Sequence, residues 1–195
     1  GDIGCFSFYP TKNLGGVGDG GALITNDDQL ADKARSLRQY GWDDTKVSVS
    51  EGWNSRLDEL QAAILRIKLG ALDDDNALRQ EHASVYQSSL HGLELQLPAI
   101  RKNSSHVFHL YIIRELQRDA LRQWLGDRNI HTGIHYPIPV HLHDYYRISA
   151  GNICLPVTER MAKQIISLPM YPQLSVDDRS RVVRDVIAYY SSSSC

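Results

Sequence analysis

The sequence predicts an α/β chain in two lobes, on three observations. Strand-like and helix-like segments alternate along 195 residues. Leu57, Leu60, Ile64 and Ile67 recur at three- and four-residue steps, which marks a long helix in the first half. An acidic run, Asp73-Asp74-Asp75, interrupts that helix, and the texture of the chain changes after Gly92. A helix of this kind joins two lobes.

In chain order, GCFSFY reads as a short buried strand and GGALITN as a second one, ending at Asn26-Asp27-Asp28. Asp27 or Asp28 is placed to cap the next helix, LADKARSLRQYG, which is predicted to stop at Gly41. Trp42 to Trp53 is polar and mixed, and reads as an extended loop. Asn54 or Ser55 is placed as N-cap of the long helix, with Asp58 and Glu59 in its first turn, where the helix dipole favours them. The helix is predicted to run on towards Leu90.

Beyond Gly92, ELQLPA, VFHLYIIR and HTGIHY look like strands and RDALRQWLGDRN like a helix. ERMAKQIISL and DDRSRVVRDVIAYY look like closing helices, YPIPVHLHDYY like a proline-bearing loop, and the terminal SSSS like a frayed tail. The lobe boundary is placed at 75/76.

The bulk properties exclude several function classes. Twenty-one basic and 23 acidic side chains leave a formal charge of −2, with no basic stripe for nucleic acid. Uninterrupted apolar runs fall short of the roughly 20 residues that a membrane-spanning helix needs. Cys5, Cys154 and Cys195 are odd in number and scattered, which suits a reducing, cytoplasmic setting. His106 and His109, on a strand, would face opposite sides, and His141 and His143 lack a third ligand, so no metal is expected. The chain starts at Gly1 without a signal-peptide pattern, and a strand follows at once, as at an entry into the middle of a domain.

Gly16-Val17-Gly18-Asp19-Gly20-Gly21 matches G-x-G-x-x-G, but a strand follows it rather than the helix a dinucleotide loop requires. A P-loop fails too, because Lys12 precedes the glycines and Asn13 follows it. The glycines are better explained as a tight connection between strands. Lys12 is left over. An amine in such a place is either a surface group with a buried stem or, when desolvated, a nucleophile towards carbonyls. The residues alone leave both open.

SFYPTKN followed by GDGGALITND resembles the Schiff-base segment of the DegT/DnrJ/EryC1/StrS family of pyridoxal-phosphate sugar aminotransferases. The resemblance continues in GWNSRLDELQAAILRIKL, HVFHLYIIR, IHYPIPVHL and LPVTERMAKQIISLPMYP, in the family's order. It implies the C-terminal half of an aspartate-aminotransferase-type (fold type I) enzyme. Residues 1–75 would be the end of the large cofactor-binding domain, with part of its sheet. Residues 76–195 would be the rest of the linking helix and a small α/β domain. By position, Lys12 would bond covalently to pyridoxal 5'-phosphate and then serve as general acid/base. Lysine rather than histidine there favours transamination over dehydration.

Ser7 would give its hydroxyl to the cofactor phosphate, and Asn54 would reach the phosphate of the neighbouring subunit's cofactor, so that a homodimer shares its sites. Their bland alternatives are a small buried strand residue and the helix N-cap. Tyr9, His135 and Tyr136 would border the sugar, His135 being otherwise a satisfied histidine at a strand end. Arg56 and Gln61 belong to the same pattern, or simply to a solvated helix face. The substrates implied are a nucleotide-linked keto-deoxysugar, a dTDP-3-keto-6-deoxyhexose before a 4-keto sugar, and an amino-acid donor, glutamate. In relatives, the preceding half supplies the carboxylate for the pyridinium nitrogen and the ring-stacking aromatic. The alternative for this chain is therefore an inert remnant that serves as a binding or dimerising module.

Overall fold

A computed structural model describes residues 1–151 and 153–192, in two units, Gly1–Asp74 and Asp75–Cys195. In the first, β1 (Gly4–Ser7) pairs antiparallel with β2 (Gly21–Ile24), Cys5 opposite Leu23 and Ser7 opposite Gly21. Alternation puts Phe6 on one face of this ribbon and Cys5 and Ser7 on the other. Phe6 is 54% and Ile24 57% exposed, so the unit does not enclose its own sheet.

Helix α1 (Asp28–Leu37) is capped by Asp27, whose Oδ1 accepts from the amides of Gln29 and Leu30 at 2.8 and 3.1 Å. It ends four residues before Gly41, and the returning chain explains why. Trp53 N–H donates to Leu37 O at 2.7 Å and Ser55 N–H to Arg38 O at 3.0 Å, which takes up carbonyls that a longer helix would use. Tyr40 and Gly41 then turn away with φ of 60° and 68°.

The same pairing corrects the expected cap of the next helix. Asn54 bridges Gln39 in extended conformation, so neither Asn54 nor Ser55 is an N-cap. Asp58 holds that position, and α2 runs Glu59–Leu69. The expected single long helix is two. At Gly70, a poor helix former, the amides of Gly70 and Ala71 fall back on Ile67 and Lys68, three residues away, and α3 (Leu72–Ser89) begins anew. Asp73-Asp74-Asp75 thus lies in the first turn of a helix, where negative charge is favoured, and does not interrupt one.

In the second unit, β3 (Tyr111–Arg114) pairs antiparallel with β4 (Ile165–Leu168). Around them stand α4 (Arg118–Gly126), α5 (Asp144–Ala150), α6 (Pro156–Gln164) and α7 (Val176–Ser192). The hydrophobic core lies here, with Tyr86, Leu90, Tyr111, Ile113, Leu121, Leu125, Ile166 and Val186 fully buried.

Several sequence expectations shift in this unit. ERMAKQIISL divides, its last four residues forming β4, because pairing with β3 buries Ile166 completely. ELQLPA and HTGIHY shrink to single bridges, Gln96 to Arg114 and Gly133 to Ser167. The expected loop at 136–146 contains a 3-10 turn, Val140–Leu142, and the start of α5. Ser191 and Ser192 belong to α7, while Ser193, Ser194 and Cys195 lie outside the described residues. Among the described residues no helix is long and apolar enough to cross a membrane.

Buried polar side chains of α3 tie this unit together. One guanidinium nitrogen of Arg79 lies 3.2, 3.3 and 3.1 Å from the carbonyls of Phe108, His109 and Met170. Arg179 can only donate to His82 Nδ1, at 2.9 Å, so the His82 proton sits on Nε2, which donates to Pro172 O at 3.2 Å. The Tyr86 hydroxyl donates to Pro169 O at 3.0 Å. Removing a charged donor from three carbonyls costs more than removing one phenol. Arg79→Ala should lower unfolding stability by about 3 kcal/mol and Tyr86→Phe by ~1 kcal/mol, read by urea denaturation.

Burial raises the phenol pKa values of Tyr86, Tyr111 and Tyr190; at Tyr190 the bond to the Glu115 carboxylate adds to it. A raised acid pKa means that the folded state keeps protons the unfolded state has lost. The stability these groups contribute is therefore complete below about pH 10, the unfolded value, and falls as pH rises beyond it. Urea midpoints should drop between about pH 8 and about pH 11, and the drop should be smaller in Tyr190→Phe.

Candidate functional site

The segment around Lys12 is a compact loop between β1 and β2. Phe8 N–H donates to Gly20 O at 2.8 Å, extending the ladder, and Phe8 O accepts from Gly16 N–H at 2.8 Å, closing the loop. Inside it, Lys12 N–H donates to Tyr9 O at 2.8 Å, a turn that leaves Lys12 half-buried. A Cβ at Gly15 would stand 2.4 Å from Pro10 O and 2.8 Å from Tyr9 O, so this closure requires glycine.

Ser7, the last residue of β1, is exposed rather than a small buried strand residue. Its Oγ accepts from Tyr9 N–H at 3.3 Å, which leaves the hydroxyl hydrogen available to a ligand. The loop thus gathers a hydroxyl, a half-exposed phenol at Tyr9 and an amine within six residues of sequence.

Asn54 stands on another segment of the same unit. Its Oδ1 accepts from Arg56 Nε at 2.9 Å, and the Arg56 guanidinium lies 5.8 Å over the Tyr40 ring. Because Arg56 can only donate, the amide is oriented with its NH2 outwards, as two donors on an exposed surface.

His135 and Tyr136 belong to the second unit. His135 Nδ1 is 2.9 Å from Ser167 Oγ, and its ring meets Tyr136 edge-on at 5.6 Å. Ser167 is buried and Tyr136 is 72% exposed. A Cβ at Gly133 would come within 2.5 Å of the His135 ring, so that side is filled by the glycine backbone. Ser167 was invisible as a partner in the sequence, since it lies 32 positions from His135 and meets it only through the Gly133 bridge.

Three further histidines are engaged elsewhere. His106 stacks on Phe108 at 4.3 Å in a segment that is not a strand. His141 Nε2 is 3.1 Å from Glu159 Oε1, and His143 Nε2 is 3.2 Å from Ile138 O. The Leu155 amide and then His141 hold the Glu159 carboxyl below its usual range. No group of three or more His, Cys, Asp and Glu that could hold a metal ion occurs among the described residues.

A profile of the DegT/DnrJ/EryC1/StrS aminotransferase family matches residues 1–187. The dTDP-3-amino-3,4,6-trideoxy-alpha-D-glucose transaminase of Streptomyces venezuelae is 45% identical over 183 residues, 93% of this chain and 48% of that protein. The UDP-N-acetyl-3-dehydro-alpha-D-glucosamine 3-aminotransferase of Acidithiobacillus ferrooxidans is 43% identical over 93% of this chain and 49% of its own.

Among solved structures, S. venezuelae DesV in complex with a ketimine intermediate superposes with a TM-score of 0.92 at 43% identity, covering 96% of this chain and 51% of that one. NtdA from Bacillus subtilis with bound cofactor PMP gives 0.88 at 28%, covering 97% and 46%. The chain spans about half the length of the relatives it matches.

The Ser167 contact can be tested by itself. Ser167→Ala should leave the fold intact, at a cost of ~1 kcal/mol, and release the His135 ring. Two-dimensional ¹⁵N NMR of the imidazole should then show a changed tautomer balance at His135 only.

Proposed function

The chain belongs to the DegT/DnrJ/EryC1/StrS aminotransferase family, and on that premise we propose that it carries the amine of a pyridoxal-phosphate-dependent sugar aminotransferase. Lys12 is the catalytic residue, and the compact loop that presents it, which departs from the strand end carrying the Ser7 hydroxyl, is the observation that carries the reading. The substrate is a nucleotide-linked keto-deoxysugar, and an amino acid, glutamate, donates the nitrogen.

The relatives narrow the class in a useful way. Their names join dTDP and UDP to amination at carbon 3, and so support a 3-keto sugar more than either nucleotide. A dTDP-3-keto-6-deoxyhexose remains the favoured member.

The donor set suits two ends of pyridoxal phosphate: an amine for its aldehyde and a hydroxyl for its phosphate. Bound there, the cofactor supplies an electron-withdrawing ring that stabilises negative charge on the carbon losing a proton. The chain's residues do the rest. Lys12 Nζ would hold the aldehyde end of the cofactor and would serve as the proton carrier, taking a proton from the donor's Cα and returning one on the sugar side. Ser7 Oγ, one of its lone pairs already engaged by the Tyr9 amide, would donate its hydroxyl hydrogen to the phosphate.

Asn54, held by Arg56 with its NH2 outwards, donates to the phosphate bound by a second copy, which makes the active form a homodimer. His135 and Tyr136 border the sugar. A cytoplasmic setting fits these soluble, phosphorylated reactants.

One observation favours a second reading, an inert binding module. The hydrophobic core lies within the second unit, while the sheet that carries Lys12 leaves Phe6 and Ile24 exposed. Borohydride reduction with added pyridoxal phosphate, followed by peptide mapping, separates the two. A phosphopyridoxyl adduct confined to Lys12, and lost in Lys12→Ala, is expected. Labels scattered over surface lysines and missing from Lys12 would overturn the assignment for this chain and favour the module.

A further inference from the structure

Lys12 is fixed by its loop, but the loop itself needs an anchor after Gly16, where β2 has not yet begun. That anchor comes from α2. Gln61 Oε1 accepts the Val17 N–H at 2.9 Å, and Lys68 Nζ donates to Gly15 O at 2.5 Å. The two side chains are seven residues apart, two turns of helix, and so project from one face, with buried Leu65 between them.

The glycines make room for this contact. A Cβ at Gly16 would lie 2.7 Å from Gln61 Oε1, and one at Gly18 would lie 2.6 Å from Gln61 Nε2. The carboxamide therefore occupies the space where side chains at 16 and 18 would be. Adding a methyl at either position expels it.

We propose that Gln61, supported by Lys68, is a positioning residue for Lys12: it latches the Gly15–Gly18 segment to α2 and so sets where the amine stands. This rests on the reading of Lys12 as the functional amine, but the latch can be tested without cofactor. Gln61→Ala removes the acceptor, Gly18→Ala expels the side chain without removing it, and Gln61→Glu keeps an acceptor oxygen for Val17. Lys33 and Lys46 serve as internal controls.

The probe is the acetylation rate of each lysine amine in the full 195-residue chain, measured by mass mapping with an N-hydroxysuccinimide ester. Because Lys12 is half-buried, releasing its loop should speed its acetylation by about fivefold, the equivalent of one lost hydrogen bond. That gain is expected in Gln61→Ala and Gly18→Ala, with Gln61→Glu near the unsubstituted rate and the control lysines unchanged. Exchange of the Val17 amide should rise in the same two variants.

Unchanged Lys12 reactivity in both variants would overturn the latch, as would a rise shared equally by Lys33 and Lys46, which reports general loosening. If Gln61→Ala does not fold, Gly18→Ala decides alone, since it moves only the end of a flexible side chain. Lys12 acetylation that responds while Lys12 takes no phosphopyridoxyl group would uphold the latch and sink the cofactor reading instead.

Discussion

A lysine amine hangs on a long flexible stem, so its place is defined only when the backbone beneath it is. Here that definition depends on Phe8. Its N–H continues the strand ladder to Gly20 and its carbonyl receives the Gly16 N–H, so one residue ends a ribbon and closes a loop. Lys12 lies in the middle of the seven residues between Phe8 and Gly16. The closure tolerates no Cβ at Gly15, because Tyr9 and Pro10 carbonyls already fill that space. Strand register then does a second task. With Ser7 opposite Gly21, the hydroxyl sits at the ribbon's end, where the loop departs. The amine and its companion hydroxyl are thus products of one hairpin and not separate features.

The second unit solves a different problem. LPMYP contains two prolines, which have no N–H of their own, and its carbonyls must be met by other donors. Arg79, His82 and Tyr86 recur at three- and four-residue steps on α3 and reach Met170, Pro172 and Pro169 respectively. Arg79 also holds Phe108 and His109, just before β3. One helix face thus fixes the approach to β3 and the exit from β4. Since β4 carries Ser167, the same scaffold fixes the hydroxyl that meets His135.

Where the sequence read well, local pattern and tertiary demand agreed. Strand-like runs and the turn residues Asn26-Asp27-Asp28 placed β1 and β2, and the acidic pair at 27–28 placed the start of α1. It misled where a distant segment intervened. Asn54 has the chemistry of a cap, but the pairing of 53–55 with the end of α1 pulls it out of the helix. IISL continues a helical pattern, yet β3 offers a ladder that buries Ile166 fully. At the candidate site the residue types were legible from the motif, and their partners were not. Arg56 orienting Asn54 and Ser167 meeting His135 depend on side-chain geometry that no spacing encodes.

The glycine run shows why a motif needs its hydrogen bonds before it has a meaning. An anion-binding loop works by leaving consecutive backbone N–H groups free and aimed at a helix start. In this chain the Gly16 amide is held by Phe8 O and the Val17 amide by Gln61 Oε1, and the next element is a strand. Two donors that a phosphate would use are already engaged. The run therefore fits close approach of other groups, a carbonyl at Gly15 and a carboxamide at Gly16 and Gly18, and not phosphate capture. A phosphate held near Lys12 would find the Ser7 hydroxyl hydrogen available, at the end of β1 opposite Gly21.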